Sequence, residues 1–503
     1  MKSAANKIFH CLYAILFIYI FVNVVINYYL EERLNTALFG MLFLAAALMI
    51  FKTVKRRERI NREIKTYPIL LLIIILMTAI QIFLIISLDY KPVYDSKIVD
   101  TAARDFARTG TFDGIHGQYY YFSRHTNNWG ILVFLSLIYR AIYLVFGSIS
   151  RYVPSVINLI AIQGSVILMY FTAKLIFRDK TRPLFCAALA ASMPVLYLYT
   201  TIFYSDTLSM PFVLGSVYLY LRALRSKRLS RSIIQLVFSG LLAGMAFSIK
   251  GSAAVLIPAF IIYFLLKIGW KRALCFSIIL ITTFSTWCIS FNKAVMLTDL
   301  TTQELLETVK FPPTHWIMMG LRGNGGYSWS DRDFTKGFKT YDEKKAANIE
   351  EIKLRLEQYD AQSFFKHLNQ KITFTWNSGK FYSVHHLKKC PKSSLMYTIR
   401  SGKKFKFYTN GVHLAMLTLM LLSFIYGAVH SRKKPVSLIR LSVFGLALFL
   451  LIWETRSRYL VNFLPLMFII CADGMNYLNG LVSYIINKLS PGKGADKKYR
   501  KTY

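Results

Sequence analysis

An aspartate, Asp95, stands just beyond a long apolar run in "LDYKPVYDSKIVDTAARDFARTG" (88–110). Three cations occupy equally apolar settings far along the chain. They are Lys250 in "SIKGSAAVLIP" and Arg456 and Arg458 in "WETRSRYLVNFLP". A cation beside a bilayer is costly, so it is expected to have a partner or a function. Arg meets phosphate with a two-pronged geometry, and Lys meets it as a point charge. A carboxylate facing several cations suits transfer of a sugar from a lipid phosphate to a hydroxyl. The departing phosphate needs positive charge near its oxygens. The accepting hydroxyl needs a base, worth about 10²–10⁴-fold. Structural readings stand beside these: Asp95 as a helix cap, the cations as snorkelling side chains, or an internal Glu454–Arg pair.

Other polar residues sit among apolar ones nearby. "TIFYSDTLSMP" (201–211) carries Asp206, which reads as a helix cap or as a ligand. "YYYFSRHTNNWG" (119–130) carries His125, Asn127 and Asn128, side chains able to hydrogen-bond sugar hydroxyls. Glu454 and Tyr459 flank the two arginines and complete the candidate substrate contacts. No metal-ligand motif is visible, no cofactor is called for, and a divalent metal stays an open possibility.

The elements that must position these residues are membrane helices. Apolar residues make up 55% of the 503-residue chain, and apolar runs of bilayer length recur throughout. The first run lacks a small-residue cleavage site and reads as a retained span. The net charge of +37 lies in short basic clusters between these runs. Nucleic-acid binding would suit so basic a chain, but clusters alternating with apolar runs read as cytoplasmic anchors. The six cysteines show no disulfide framework or paired metal spacing. The abundance of lysine and isoleucine suggests a low-GC bacterium and its plasma membrane.

If the basic clusters at 52–65, 178–182, 222–231, 267–272, 430–435 and 493–501 all face the cytoplasm, the spans between any two are even in number. Parity then requires one of the two segments near 129–148 and 152–177 not to cross. The first contains Arg140 and is expected to lie in the outer leaflet. The result is about twelve crossings with the candidate site on the outer face. The expected organisation is two N-terminal spans and a basic loop (1–66), a transmembrane core (67–291) with a first outer loop (89–151), a large outer loop (292–410), and C-terminal spans with a basic tail (411–503). An outer loop as long as 292–410 is usually functional.

Within the first outer loop, Ile98, Val99, Ala102, Ala103, Phe106 and Ala107 recur at helical spacing, and Gly110 is a helix stop. This predicts a short amphipathic helix with Asp95 at its start and Asp100 and Asp105 on a solvated flank. In the large loop, Gly323, Gly325 and Gly326 read as a turn. His315, Trp316 and Trp329 read either as sugar-stacking or as structural aromatics. Residues 364–381 have the mixture of an interfacial helix.

Four stretches, in order, resemble the GT-C superfamily of membrane glycosyltransferases, on its protein O-mannosyltransferase and lipid A aminoarabinose transferase side. They are "YDSKIVDTAARDFARTG", "FYSDTLSMPFVLGSVYLYLRA", "FSGLLAGMAFSIKGSAAVLIP" and "ETRSRYLVNFLPLMFIICADG". The resemblance implies an all-α polytopic fold with juxtamembrane helices outside. It implies Asp95 as base and Lys250, Arg456 and Arg458 as donor-phosphate contacts. The implied donor is a polyprenyl-phosphate-linked sugar. The acceptor would be a surface glycan, a teichoic-acid-type polymer, a lipid or a protein. Ser96 stands where many relatives have Glu, and two additional spans precede the core. A transporter or flippase is a second class, though no internal repeat is visible. A non-catalytic scaffold is a third. The absence of a GxxxxGK[ST] loop argues against ATP-driven work.

Overall fold

In the computed structural model, residues 2–26, 30–60, 64–112, 119–388, 390–430 and 434–489 are described. Among them the secondary structure is helical, with no strand. Every spanning backbone group must find its hydrogen bond inside the segment, which a helix provides.

Among the described residues ten helices are long and apolar enough to cross a membrane, or eleven if the bent pair Thr181–Ser192 and Pro194–Thr201 counts as one. That pair turns by 57° at Met193. Pro194 has no N–H to continue the helix, so the break falls there. The crossings expected from parity correspond to nine of the ten, the bent pair, and the shorter apolar helices Gly251–Lys267 and Val436–Ile452. The helix Thr66–Leu88 exposes Leu71, Ile75, Phe83 and Ile86, as a lipid-facing wall does. Leu464–Leu489 is the central helix, buried among Leu30–Arg59, Thr181–Ser192, Lys403–His430 and Val436–Ile452.

The remaining one of the ten candidates is Thr126–Phe146. Its N-terminal end adjoins Asn128, which contacts Tyr204. Beyond its other end, the Ile149 and Ser150 carbonyls accept from Arg104 of the helix Asp95–Thr109. Arg151 pairs at 3.2 Å with Asp89, which caps Thr66–Leu88. Both ends therefore meet elements at the same end of the bundle. Arg140, about two-thirds of the way along, donates to the Ala107 and Arg108 carbonyls. It satisfies the end of the Asp95–Thr109 helix, where free carbonyls and the dipole favour a cation.

The helix Asp95–Thr109 stops at Gly110 with φ 83°. The expected solvated flank is corrected at Asp100. Its carboxylate is buried, accepts from Tyr139 Oη at 2.7 Å, and pairs with Arg104 at 2.9 Å. Asp105 is half-buried at the surface, beside the exposed Arg108. Gly130 lets the helix beginning at Trp129 approach the end of Leu229–Ile249. A Cβ there would lie 2.0 Å from the Ser248 carbonyl oxygen.

The large loop starts later and ends earlier than expected, because Trp270–Met296 and Lys403–His430 extend past their apolar windows. Polar terminal turns of a helix leave no hydropathy signal. The loop is itself helical, from Gln303–Val309 to Ser394–Ser401. Asp331 is clamped between Arg322 at 3.0 Å and Arg355 at 2.8 Å. Burial would raise its carboxyl, but the two guanidiniums hold it below the usual carboxylate range. Away from the loop, Arg440 and Asp473 pair at 2.5 Å inside the bundle, share Ser423, and join Arg182. Mutual pairing makes those buried charges tolerable.

Candidate functional site

Residues from four separated parts of the chain gather at one end of the bundle. The first is Asp95. A carboxylate at a helix start is expected to cap it, yet no side-chain cap bond forms. Tyr94 takes the cap position with φ 52°, and the Ser96 hydroxyl closes the turn onto Val93. The Asp95 carboxylate instead accepts from Tyr204 Oη at 3.3 Å. Burial and Asp95 push the Tyr204 hydroxyl well above its ordinary range, so it remains a donor.

Tyr204 also carries a cation. The Arg458 guanidinium lies 5.2 Å from the centre of its ring and 5.3 Å from that of Tyr459. Among the described residues Arg458 has no hydrogen bond or ion pair, and its Nε is buried without a partner. Arg sits well on aromatic faces. That contact leaves its five N–H donors unused.

The other two cations are already engaged. Lys250 forms an ion pair with Asp206 at 2.6 Å, with side-chain exposures of 13% and 1%, and its ammonium lies 4.3 Å over the Tyr459 ring. The expected phosphate-facing Lys250 and ligand-like Asp206 are therefore one buried pair. Arg456 reaches Glu454 at 3.5 Å and donates to Tyr382 Oη at 2.7 Å. Glu454 also accepts from Tyr459 Oη at 2.5 Å. The internal Glu454–Arg pair open in the sequence is thus present, and it is Arg456 that forms it. Among the described residues Arg458 is left unpaired.

Asn128 is buried beneath this arrangement. Its amide donates to Tyr121 Oη at 2.6 Å and accepts from Tyr204 Oη at 3.1 Å. Both of its ends serve the tyrosines, so it orients them in place of the expected contact with sugar. The His125 ring packs 5.0 Å from Tyr121 and 6.3 Å from Trp316. Burial lowers its pKa to about 4, which keeps it neutral at pH 7.

The large loop builds the rest. The turn at Gly323 (φ 55°) and Gly325 (φ 74°) presents the Gly325 carbonyl to Thr455 N–H at 2.8 Å. The Trp316 carbonyl accepts from Glu454 N–H at 3.0 Å. These two bonds fix the segment that carries Glu454, Arg456 and Arg458. Beneath the turn, Lys371 is buried and donates to the Gly320 carbonyl at 2.7 Å. Burial lowers its pKa to about 7, against an opposing pull from Glu454. His315 is fully buried against Thr335, a structural role. Trp329 lies exposed under Arg332.

Phe381 and Tyr382 both take left-handed backbone angles, φ 46° and 65°. Bulky residues rarely do so, at about 1–3 kcal/mol each. The strain places Tyr382 on Arg456 and stacks it 4.6 Å from His385, which stacks 5.6 Å from Tyr94. His386 is buried close by. Burial, with Arg458, His385 and Arg456, lowers its pKa to about 3. Tyr204, Tyr121, Tyr382, His386 and Lys371 were not among the residues singled out in the sequence. Tyr204 adjoins the Asp206 stretch but reads as one more interfacial aromatic. The others carry no spacing signal at all.

The donor set does not suit a divalent metal. Asp206 is held by Lys250 and Glu454 by Tyr459 and Arg456, while Asp95 meets the Tyr204 hydroxyl and no cation among the described residues. Among the described residues no group of three His, Cys, Asp or Glu side chains could hold one.

Fold and site together define a multi-pass integral membrane protein with a charged, tyrosine-lined site at one end of its helical bundle. The chain belongs to the family described as conserved hypothetical integral membrane protein, whose model matches residues 1–477. Among curated proteins none matches it. Among solved structures it is similar to the archaeal oligosaccharyltransferase AglB from Archaeoglobus fulgidus, in complex with an inhibitory peptide and a dolichol-phosphate. The identity is 11% and the TM-score 0.38, over 79% of this chain and 52% of that one. The chain thus spans about half the length of that protein. A TM-score this low assigns neither activity nor ligand.

Proposed function

We propose that this protein is a GT-C-type membrane glycosyltransferase. In this reading it moves a sugar from a polyprenyl-phosphate donor to a hydroxyl of a surface glycan, polymer, lipid or protein, outside the plasma membrane. The observation that carries the reading is the unpaired Arg458, stacked on the same Tyr204 whose hydroxyl contacts Asp95. A guanidinium without an ion pair among the described residues, sharing Tyr204 with a carboxylate that caps nothing, is a costly arrangement for a merely structural site.

Asp95 takes the proton of the acceptor hydroxyl. The acceptor oxygen then bonds to the anomeric carbon, and the bond from that carbon to the donor phosphate breaks. The electron pair leaves on the phosphate oxygen, where Arg458 stabilises it. Tyr204 and Asn128 hold the carboxylate and the aromatic face in register. Lys250–Asp206 and Arg456–Glu454 fix Tyr459, the other face of the Arg458 sandwich.

The test is transfer from a polyprenyl-phosphate sugar by purified membranes. Asp95→Asn should lower turnover about 10²–10⁴-fold with normal insertion and unchanged thermal stability. Wild-type turnover by that variant would remove the base. Substrate movement across sealed vesicles without a covalent product would favour the transporter class.

A further inference from the structure

The opposite end of the bundle carries a second site. Thr66–Leu88, Val153–Ile176 and Met210–Arg225 each have one end near the Asp95 and Asp206 region. Their other ends, about 34 Å away for a 23-residue helix, surround a cavity of about 950 Å³. Lys65, Lys174, Arg178, Lys180 and Arg225 line it.

Five cations converge there from three separate stretches of chain. Among the described residues none of them forms an ion pair. The one acid in the lining, Asp179, is bound by Arg182. Both oxygens of nearby Glu58 are taken, by the Lys180 backbone N–H and the Thr181 hydroxyl. Lys174 is aimed by Tyr67, whose hydroxyl accepts from it at 2.7 Å, and Arg225 by the Leu175 carbonyl. The five cations, all exposed, outnumber the carboxylates beside them, Asp179 and Glu58, so the hollow keeps an excess of positive charge. Sidedness alone requires basic residues on this face but not a cavity. Tyr67, Tyr170 and Phe177 add aromatic walls at the helix ends, the depth at which lipid headgroups lie.

We propose that this cavity binds a phosphate-bearing anion at the cytoplasmic face, with the phosphate of an anionic lipid headgroup as its occupant. The guanidinium of Arg178 takes the phosphate oxygens, and Lys65 and Lys180 close the cavity electrostatically. The site is independent of the sugar-transfer reading.

Full-length protein in detergent is titrated with phosphatidylglycerol or phosphatidylcholine and the bound lipid counted by native mass spectrometry. Wild-type protein should retain phosphatidylglycerol selectively. Arg178→Gln/Lys180→Gln should weaken retention by about 30-fold. Lys65→Gln alone should weaken it several-fold, and it serves if the double variant fails to fold. Arg231→Gln/Lys271→Gln removes equal charge from the same face outside the cavity and should change retention little. Equal losses in both double variants would overturn the proposal, because surface charge and not the cavity would then be responsible. Inorganic phosphate and pyrophosphate form the second arm. Saturable stabilisation by either, abolished in the cavity variant and without lipid selectivity, would support the site with a soluble phosphate as its source. Binding in neither arm would overturn it.

Discussion

Two cation–carboxylate couples lie side by side in the site and behave differently. Lys250 and Asp206 touch at 2.6 Å and are almost shut off from solvent. Arg458 and Asp95 meet only through Tyr204, one over its ring and the other at its hydroxyl. The first couple has spent its charge on itself. The second has kept its charge for something else. A closed pair of this kind is a structural clamp whose net contribution to stability is small, yet breaking it is costly. An open couple costs stability as it stands, and it is justified by what it binds. The difference separates support from chemistry among residues that look alike in the sequence.

Mutation should split the two along different axes. On the open side, Arg458→Gln should lower turnover about 10²–10³-fold, the loss of a donor aimed at developing negative charge. It should leave the melting temperature little changed, since among the described residues no hydrogen bond or ion pair of Arg458 is lost. A lowered melting temperature with normal residual turnover would make Arg458 structural. On the closed side, Lys250→Met strands Asp206 as an unpaired buried carboxylate and should cost about 3–5 kcal/mol of stability. Lys250→Met/Asp206→Leu should recover most of that loss in a thermal or denaturant melt. If the double variant is no better than the single, Asp206 is not the partner that matters.

What could be read in advance follows the same division. Apolar runs of bilayer length announce themselves. The helix Asp95–Thr109 was readable to its ends, because its apolar stripe and Gly110 are both local signals. That Lys250, Arg456, Arg458 and Asp95 share one end of the bundle followed from parity of the basic clusters. Which cation has a counter-ion was not readable. The Lys250–Asp206 pair depends on how Leu229–Ile249 and Met210–Arg225 pack, and nothing in either stretch alone specifies it. Tyr382 reaches Arg456 through a left-handed backbone that bulky residues rarely adopt, so no propensity forecasts it. The cap at Asp95 failed for a similar reason. Ser96 closes the turn in its place, and both are good turn residues.

A smaller effect tests how the large loop supports the open couple. Lys371 has its pKa lowered to about 7 in the fold, from 10.5. Between those values the unfolded chain binds more protons than the folded one, so stability rises with pH across that window. The burden of a buried charge is full below pH 7 and relieved on going up. Relative to Lys371→Met, wild-type protein should gain roughly 2 kcal/mol between pH 7 and pH 9. A stability difference that stays flat over that range would mean that Lys371 remains charged throughout. The Gly320 carbonyl and Glu454 would then compensate its burial.

The smallest predicted effect contrasts two aspartates of the same helix, Asp100 and Asp105. Asp100 accepts from Tyr139 Oη and from Arg104 Nε, and the first of these bonds ties the helix to Trp129–Phe146. Asp105 meets only Arg108 at the surface. Asn at position 100 keeps one acceptor but loses the charge, so the bonds weaken without a cavity forming. About 1–2 kcal/mol should be lost. Asp105→Asn should stay within about 0.5 kcal/mol, as exposed pairs do. The helix carries Asp95 at its first residue, so loosening its dock should also blur the position of the base. Asp100→Asn is therefore expected to lower turnover several-fold while leaving the pH profile of turnover unmoved, because the titrating group is unchanged. A shifted profile would mean that Asp100, not Asp95, is the carboxylate that takes the proton.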